Sequence, residues 1–244
     1  MPRNPLLGRN STMYNKQNRS FTVQAEQTIW DIGNPVKGVE KRELIISEFR
    51  SRLEGGEFPI SQDHSGSLSE PRLAWTTEVQ ELDFKDMFPK LIEGFLDNMS
   101  QYRKIALLTL KDSIKHGDPH AIADSIPYFI TMLGKVLKYY NETAARLVLV
   151  FLKILLLHCV PAGPALAPYL GKIFMFFNVY MIDSSKNLCN MEDYIFYYQY
   201  KEPCMTEYIE EVMQLAEMKA GNDGMLAAIK LKEAIPSYQS KYLS

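Results

Sequence analysis

Two histidines and an aspartate crowd into the five residues His116-Gly117-Asp118-Pro119-His120, a stretch whose side chains could ligate a metal ion. The same stretch is punctuated like a turn between helices, with Gly117 and Pro119 as breakers. No cysteine or further histidine stands near in sequence to complete a zinc set. We expect a turn there, and no metal. The glycine-bearing stretches Gly55–Pro59 and Gly221–Gly224 lack the GxxxxGK[ST] pattern that cradles phosphates, and Pro161–Pro168 lacks a GxSxG nucleophile turn. The carboxylates lie on helix surfaces, where charge runs solvate a face. No residue is singled out as catalytic, and no cofactor is expected.

Two other groups of residues point to binding. Residues 1–20 hold Arg3, Arg9, Lys16 and Arg19 and no acid, a net charge of +4. Residues 192–203, EDYIFYYQYKEP, place Tyr194, Phe196, Tyr197, Tyr198 and Tyr200 in one connecting segment. Aromatic side chains are enriched at protein interfaces. The same aromatics would equally serve to staple two helices of the chain itself. Trp30, with Phe21, Val23 and Ile29, stands out from an otherwise polar leading segment. Such anchors either order on a partner surface or fold back on the protein's own core.

The elements that must carry these residues belong to an ordinary globular chain of 244 residues, 46% hydrophobic and 23% charged. The net charge of −2 argues against attraction of the whole protein to nucleic acid. Three cysteines, Cys159, Cys189 and Cys204, show no paired spacing, as in a reducing compartment. Residues 1–20 have no apolar segment of the kind a secretory leader carries. The run Leu147–Val160 is interrupted by Lys153 and is too short to span a membrane. It reads as a buried core helix, and no membrane partner is expected.

Residues 1–42 lack sustained periodicity and read as an extended tail; residues 43–244 read as the folded body. A short helix is expected over Glu43–Leu53, stopped by Gly55-Gly56. Runs Phe58–Ser61 and Arg72–Thr76 suggest a small β-hairpin, with Pro59 confining the first to an edge. From Asp83, an N-cap, apolar residues recur at helical spacing through Met99. Further helices are expected over 101–115, from Asp118-Pro119 through Tyr140, over 142–160, from Pro161 through Ile182, over 207–219 with Thr206 as cap, and over 225–234.

Three of these helices share a pattern. Pro89, Pro127 and Pro168 stand 38 and 41 residues apart. Two residues past each proline comes Leu91, Phe129 or Leu170, and six past comes Phe95, Leu133 or Phe174. A period near 40 residues with two helices per unit is the pattern of HEAT and armadillo repeats. The predicted fold is therefore all-α, an armadillo/HEAT-like α-solenoid preceded by a small β-hairpin and an extended tail; a plain helical bundle is the alternative. In a solenoid the second helix of the middle unit, residues 144–157, should be apolar on nearly all sides.

The body resembles the Parkin co-regulated gene protein family. The resemblance runs through EFRSRLEGGEFPI (48–60), RLAW (72–75), ELDFKDMFPKLIEGFLD (81–97), ALAPYLGKIFMFFN (165–178) and IKLKEAIPSYQS (229–240). SFTVQA (20–25) extends it into the tail. Residues 184–203 depart from the family pattern in being more aromatic. The resemblance implies a non-enzymatic structural protein of the ciliary or flagellar axoneme. Members sit at the inner junction of doublet microtubules, join B-tubule to A-tubule, and contact tubulin and a second inner-junction protein. Arg3, Arg9, Lys16 and Arg19 would then meet an acidic tubulin surface. The alternative is a soluble adaptor that binds a peptide or helix of a partner protein.

Overall fold

The computed structural model describes residues 42–63, 72–181 and 204–243, and these are mostly helical. The described body opens not with a helix at Glu43 but with an extended lead-in over 43–47. Ile45 donates its N–H to Leu96 O at 3.0 Å and accepts from Asn98 N–H at 2.8 Å. Leu44 and Ile45 fit a helical stripe, yet Ile45 is exposed, because the segment is held through its backbone. Helix α1 follows at Glu48–Glu54. Gly56, at φ 74°, ends it in the left-handed conformation that glycine adopts without strain. Its N–H reaches Leu53 O, and the N–H of Glu57 reaches Arg52 O, the paired closure of a Schellman motif.

Strands β1 (Ile60–Asp63) and β2 (Arg72–Trp75) pair antiparallel, Ile60 opposite Trp75. Strand β1 starts two residues after Phe58. Pro59 contributes only its carbonyl, which accepts from Thr76 N–H at 3.0 Å.

Helix α2 spans Phe84–Glu93, with the Asp83 side chain accepting from Lys85 N–H. The periodicity continued to Met99, but the helix tightens to a 3-10 turn at Gly94–Leu96 and stops. Gly94 lies so close to Phe49 and Ala106 that a Cβ would approach each to 2.8 Å, and Asp97 turns extended to bond the lead-in. Helix α3 is Ser100–His116, and α4 is Pro119–Leu137. Asp118 caps α4 by accepting from the backbone N–H groups of His120 and Ala121 at 3.3 and 3.1 Å. Helix α5, Glu142–His158, is capped by Asn141. The expected single helix after Pro161 is instead a chain of short pieces: α6 (Ala162–Leu166), a 3-10 turn at Ala167–Tyr169, α7 (Leu170–Phe174) and another 3-10 turn at Met175–Phe177. Three prolines in eight residues, Pro161, Pro164 and Pro168, remove the donors a continuous helix would need. Helices α8 (Met205–Lys219) and α9 (Gly224–Ala234) close the fold. Thr206 does not cap α8. Cys204 takes that position, and its N–H donates to the Glu207 carboxylate at 3.2 Å.

The helices pack in two rows. One runs α2, α4, α6 with α7, then α9; the other runs α3, α5, α8. The repeated residues explain the first row. Leu91, Phe129, Leu170, Phe95, Leu133 and Phe174 are all buried. Pro89 is half-buried, and Pro127 and Pro168 are exposed. Each proline therefore stands on the outer side of its helix. Inside α4, Pro127 removes the donor that the Ala123 carbonyl would take, yet the helix runs on through Leu137. In the second row, α5 packs between α3 and α8; it buries Ala144, Ala145, Val148, Leu149, Phe151, Leu152, Leu155 and Leu156, while Leu147, Val150 and Ile154 stay half-buried and Leu157 exposed, so the apolar run over 144–157 is not covered on every side. Phe151 of α5 sits 5.5 Å from Phe129 and 6.4 Å from Phe88, ring centre to ring centre, and locks the rows together. The Asp118→Ala variant should lose about 1 kcal/mol through the missing cap, measured by denaturant unfolding; an unchanged midpoint would show that α4 needs no cap.

Candidate interaction surface

The sequence-predicted binding residues Arg3, Arg9, Lys16, Arg19, Trp30, Tyr194, Phe196 and Tyr197 lie outside the described residues. Within them, His116 and His120 are exposed, and the Asp118 carboxylate is engaged in capping α4. Among the described residues no group of three or more His, Cys, Asp or Glu side chains is placed to hold a metal ion, and no helix is long and apolar enough to cross a membrane. A shallow groove of about 220 Å³ beside β1 and α2 is lined by Glu57, Phe58, Leu82, Asp83, Asp86 and Lys90. Lys90 is already held there, 2.7 Å from both Glu57 and Asp86.

Two buried carboxylates fix the ends of the body, and neither stood out in the sequence. Asp97 is fully buried. Ser47 donates its N–H and hydroxyl to it at 3.2 and 2.8 Å, Met99 its N–H at 2.8 Å, and Arg50 its guanidinium. Burial pushes the Asp97 carboxyl up, but the Arg50, Met99 and Ser47 hydrogen bonds outweigh that and hold it below the usual carboxylate range. Arg50 also lies over the Tyr102 ring, 4.5 Å from its centre, and Tyr102 donates its hydroxyl to Glu54 at 2.5 Å.

At the other end, Glu217 of α8 is 2% exposed. Tyr238 donates its hydroxyl to Glu217 at 2.5 Å, Ser240 donates its hydroxyl, and Tyr242 its N–H at 3.3 Å. Burial, then the hydrogen bond to Glu217, pushes the Tyr238 phenol well above its ordinary range. Lys232 bonds the Tyr238 carbonyl at 2.7 Å. The closing stretch Ile235–Tyr242 is thus tied back onto α8, which gives the Pro236-Ser237-Tyr238 sequence its structural role.

With the ends fixed, the outward sides of the helices are what the body offers a partner. Most of its cations are occupied. Arg52 pairs with Glu48 and Glu93, Arg146 with Glu142, Lys153 with Glu211 and Lys230 with Glu233. Lys85 and Lys172 lie over the rings of Tyr128 and Tyr169. Lys104, Lys111 and Lys115, all on α3, make no ion pair among the described residues.

No curated protein matches the chain. The sequence model of the Parkin co-regulated protein family matches residues 47–240, more than half of the chain, from the serine that bonds Asp97 to the serine that bonds Glu217. The chain belongs to the Parkin co-regulated protein family.

Proposed function

We propose that the protein is a structural, microtubule-associated component of the ciliary or flagellar axoneme, placed at the inner junction where the B-tubule meets the A-tubule. Its partners there are tubulin and a second inner-junction protein. Family membership across residues 47–240 carries this reading. The body is an armadillo/HEAT-like α-solenoid, supported by the two rows of helices and by the prolines that recur on the outer side of the first. It works by presenting surface, not by catalysis. The leading segment adds Arg3, Arg9, Lys16 and Arg19, which suit an acidic filament, each contact being weak and salt-sensitive on its own.

Co-sedimentation with microtubules tests the reading. The full-length protein should pellet, less so as salt rises, and removal of residues 1–42 should weaken pelleting while the helical circular-dichroism signal of the body persists. Absence from the pellet at every salt concentration, with tubulin alone and with doublet microtubules, would overturn it.

A further inference from the structure

The outward side of the α3–α5–α8 row changes character from one helix to the next. On α3, Lys104, Lys111 and Lys115 are spaced by seven and four residues. At 3.6 residues per turn they fall within an arc of about 40°. That arc lies opposite the buried Ala106 and Ser113. Leu107 and Leu108, both half-buried, flank it. On α5 the outward positions are Leu147, Val150 and Ile154, half-buried, and Leu157, exposed at 48%. Lys153 marks the side of α5 that faces α8, because it bonds Glu211 at 2.6 Å and lies over Tyr208. At 3.6 residues per turn Leu147 and Ile154 stand about 100–120° round α5 from Lys153, at the edge of the outward face away from α8, with Val150 and Leu157 between. An apolar strip therefore runs beside a row of three uncompensated lysines. Beyond it, α8 shows Glu207, Glu210 and Glu211 to solvent.

We propose that the α3–α5 face is a docking groove for an acidic amphipathic helix of a partner protein. The helix lays its apolar side chains on Leu147, Val150, Ile154 and Leu157 and turns its carboxylates to Lys104, Lys111 and Lys115. The dimensions suit such an occupant, since Lys104 to Lys115 spans about 16 Å, or three turns of helix. The charges also set its placement. The acidic flank belongs over α3, because over α8 it would meet glutamates. A flexible acidic tail would use the lysines alone and leave the apolar strip uncovered. This groove does not depend on microtubule binding.

The test uses the full chain and three fluorescent synthetic helices of 18 residues: one with glutamates along one flank and leucines along the other, one with the leucines replaced by serine, and one with the glutamates replaced by lysine. The first should bind, and the other two at least tenfold more weakly. Lys104→Glu, Lys111→Glu and Lys115→Glu together should weaken the first at least tenfold, as should Val150→Ser with Leu157→Ser, with helical content unchanged in both variants. Equal binding of the serine peptide would reduce the face to a bare electrostatic contact and overturn the groove. Indifference to the lysine reversals, or no binding of the first peptide, would overturn it as well. Microtubule pelleting of the wild-type chain separates the two readings: no binding of the first peptide with intact pelleting overturns the groove alone, and peptide binding without pelleting overturns the microtubule reading alone.

Discussion

The Asp97→Ala variant is expected to lose about 3 kcal/mol of stability, because it leaves the buried donors of Ser47 and the N–H of Met99 without an acceptor. In a chain of this size that lowers the melting temperature by about 6–12 °C. The loss is large because Asp97, beside the backbone bonds of Ile45, joins segments far apart in the chain: the lead-in before α1 and the turn between α2 and α3. Truncating an exposed partner in the Arg52–Glu48 pair should cost far less, since water replaces it. The variant also carries a pH signature. The Asp97 carboxyl is held below the ordinary carboxylate range when folded. Its contribution is therefore fully present above the unfolded value of about 3.9 and is lost as pH falls through the lower folded value. Comparison of the wild type with Asp97→Asn should give a stability difference that is constant above about pH 5 and shrinks in more acid solution. A difference that stayed flat down to the acid transition would show that the carboxylate charge is irrelevant there.

The contrast between Asp97 and the repeat prolines shows what this sequence reveals and what it hides. Pro89, Pro127 and Pro168 announce themselves by spacing, and the apolar residues two and six places beyond them are buried, as the inward positions of amphipathic helices are. Helices α3, α4 and α5 were legible for a similar reason, since their apolar stripes and caps lie within one stretch of chain. Asp97 and Glu217 were not. Apart from the Met99 N–H, the partners of Asp97 lie 47 and 50 residues away, those of Glu217 lie 21–25 away, and neither carboxylate differs locally from the solvated ones around it. The misread lead-in has the same cause: Leu44 and Ile45 fit a helical stripe, but the backbone partners at Leu96 and Asn98 decide its conformation. The lysine row of α3 could be read from its spacing. That its members stay unpaired while Lys90 and Lys153 find carboxylates depends on which helices become neighbours.

Gly163→Ala should be among the most damaging of the glycine substitutions, and it tests how the rows meet at the far end of the fold. A Cβ at residue 163 would stand 2.0 Å from Lys219 O and 2.5 Å from its carbonyl carbon. These are backbone atoms in the last turn of α8, so no side-chain rotation relieves the contact. Either α6 or the end of α8 must move, and both are tied: Ala162 and Leu166 are buried beside Gly163, while Glu217, two residues before Lys219, holds the closing stretch through Tyr238 and Ser240. Overpacking of this kind costs about 3 kcal/mol. Gly134→Ala supplies the control. It lies within α4, and a Cβ there would meet only Phe176, at 4.0 Å. With room available and helix propensity gained, it should stabilise the protein by about 0.4–1 kcal/mol. The two variants add the same methyl group to the same chain, so opposite shifts in the urea midpoint would trace the difference to the backbone contact between α6 and α8. If Gly163→Ala were as well tolerated as Gly134→Ala, those helices could not approach as closely as the structure has them, and the far end of the first row would have to be redrawn.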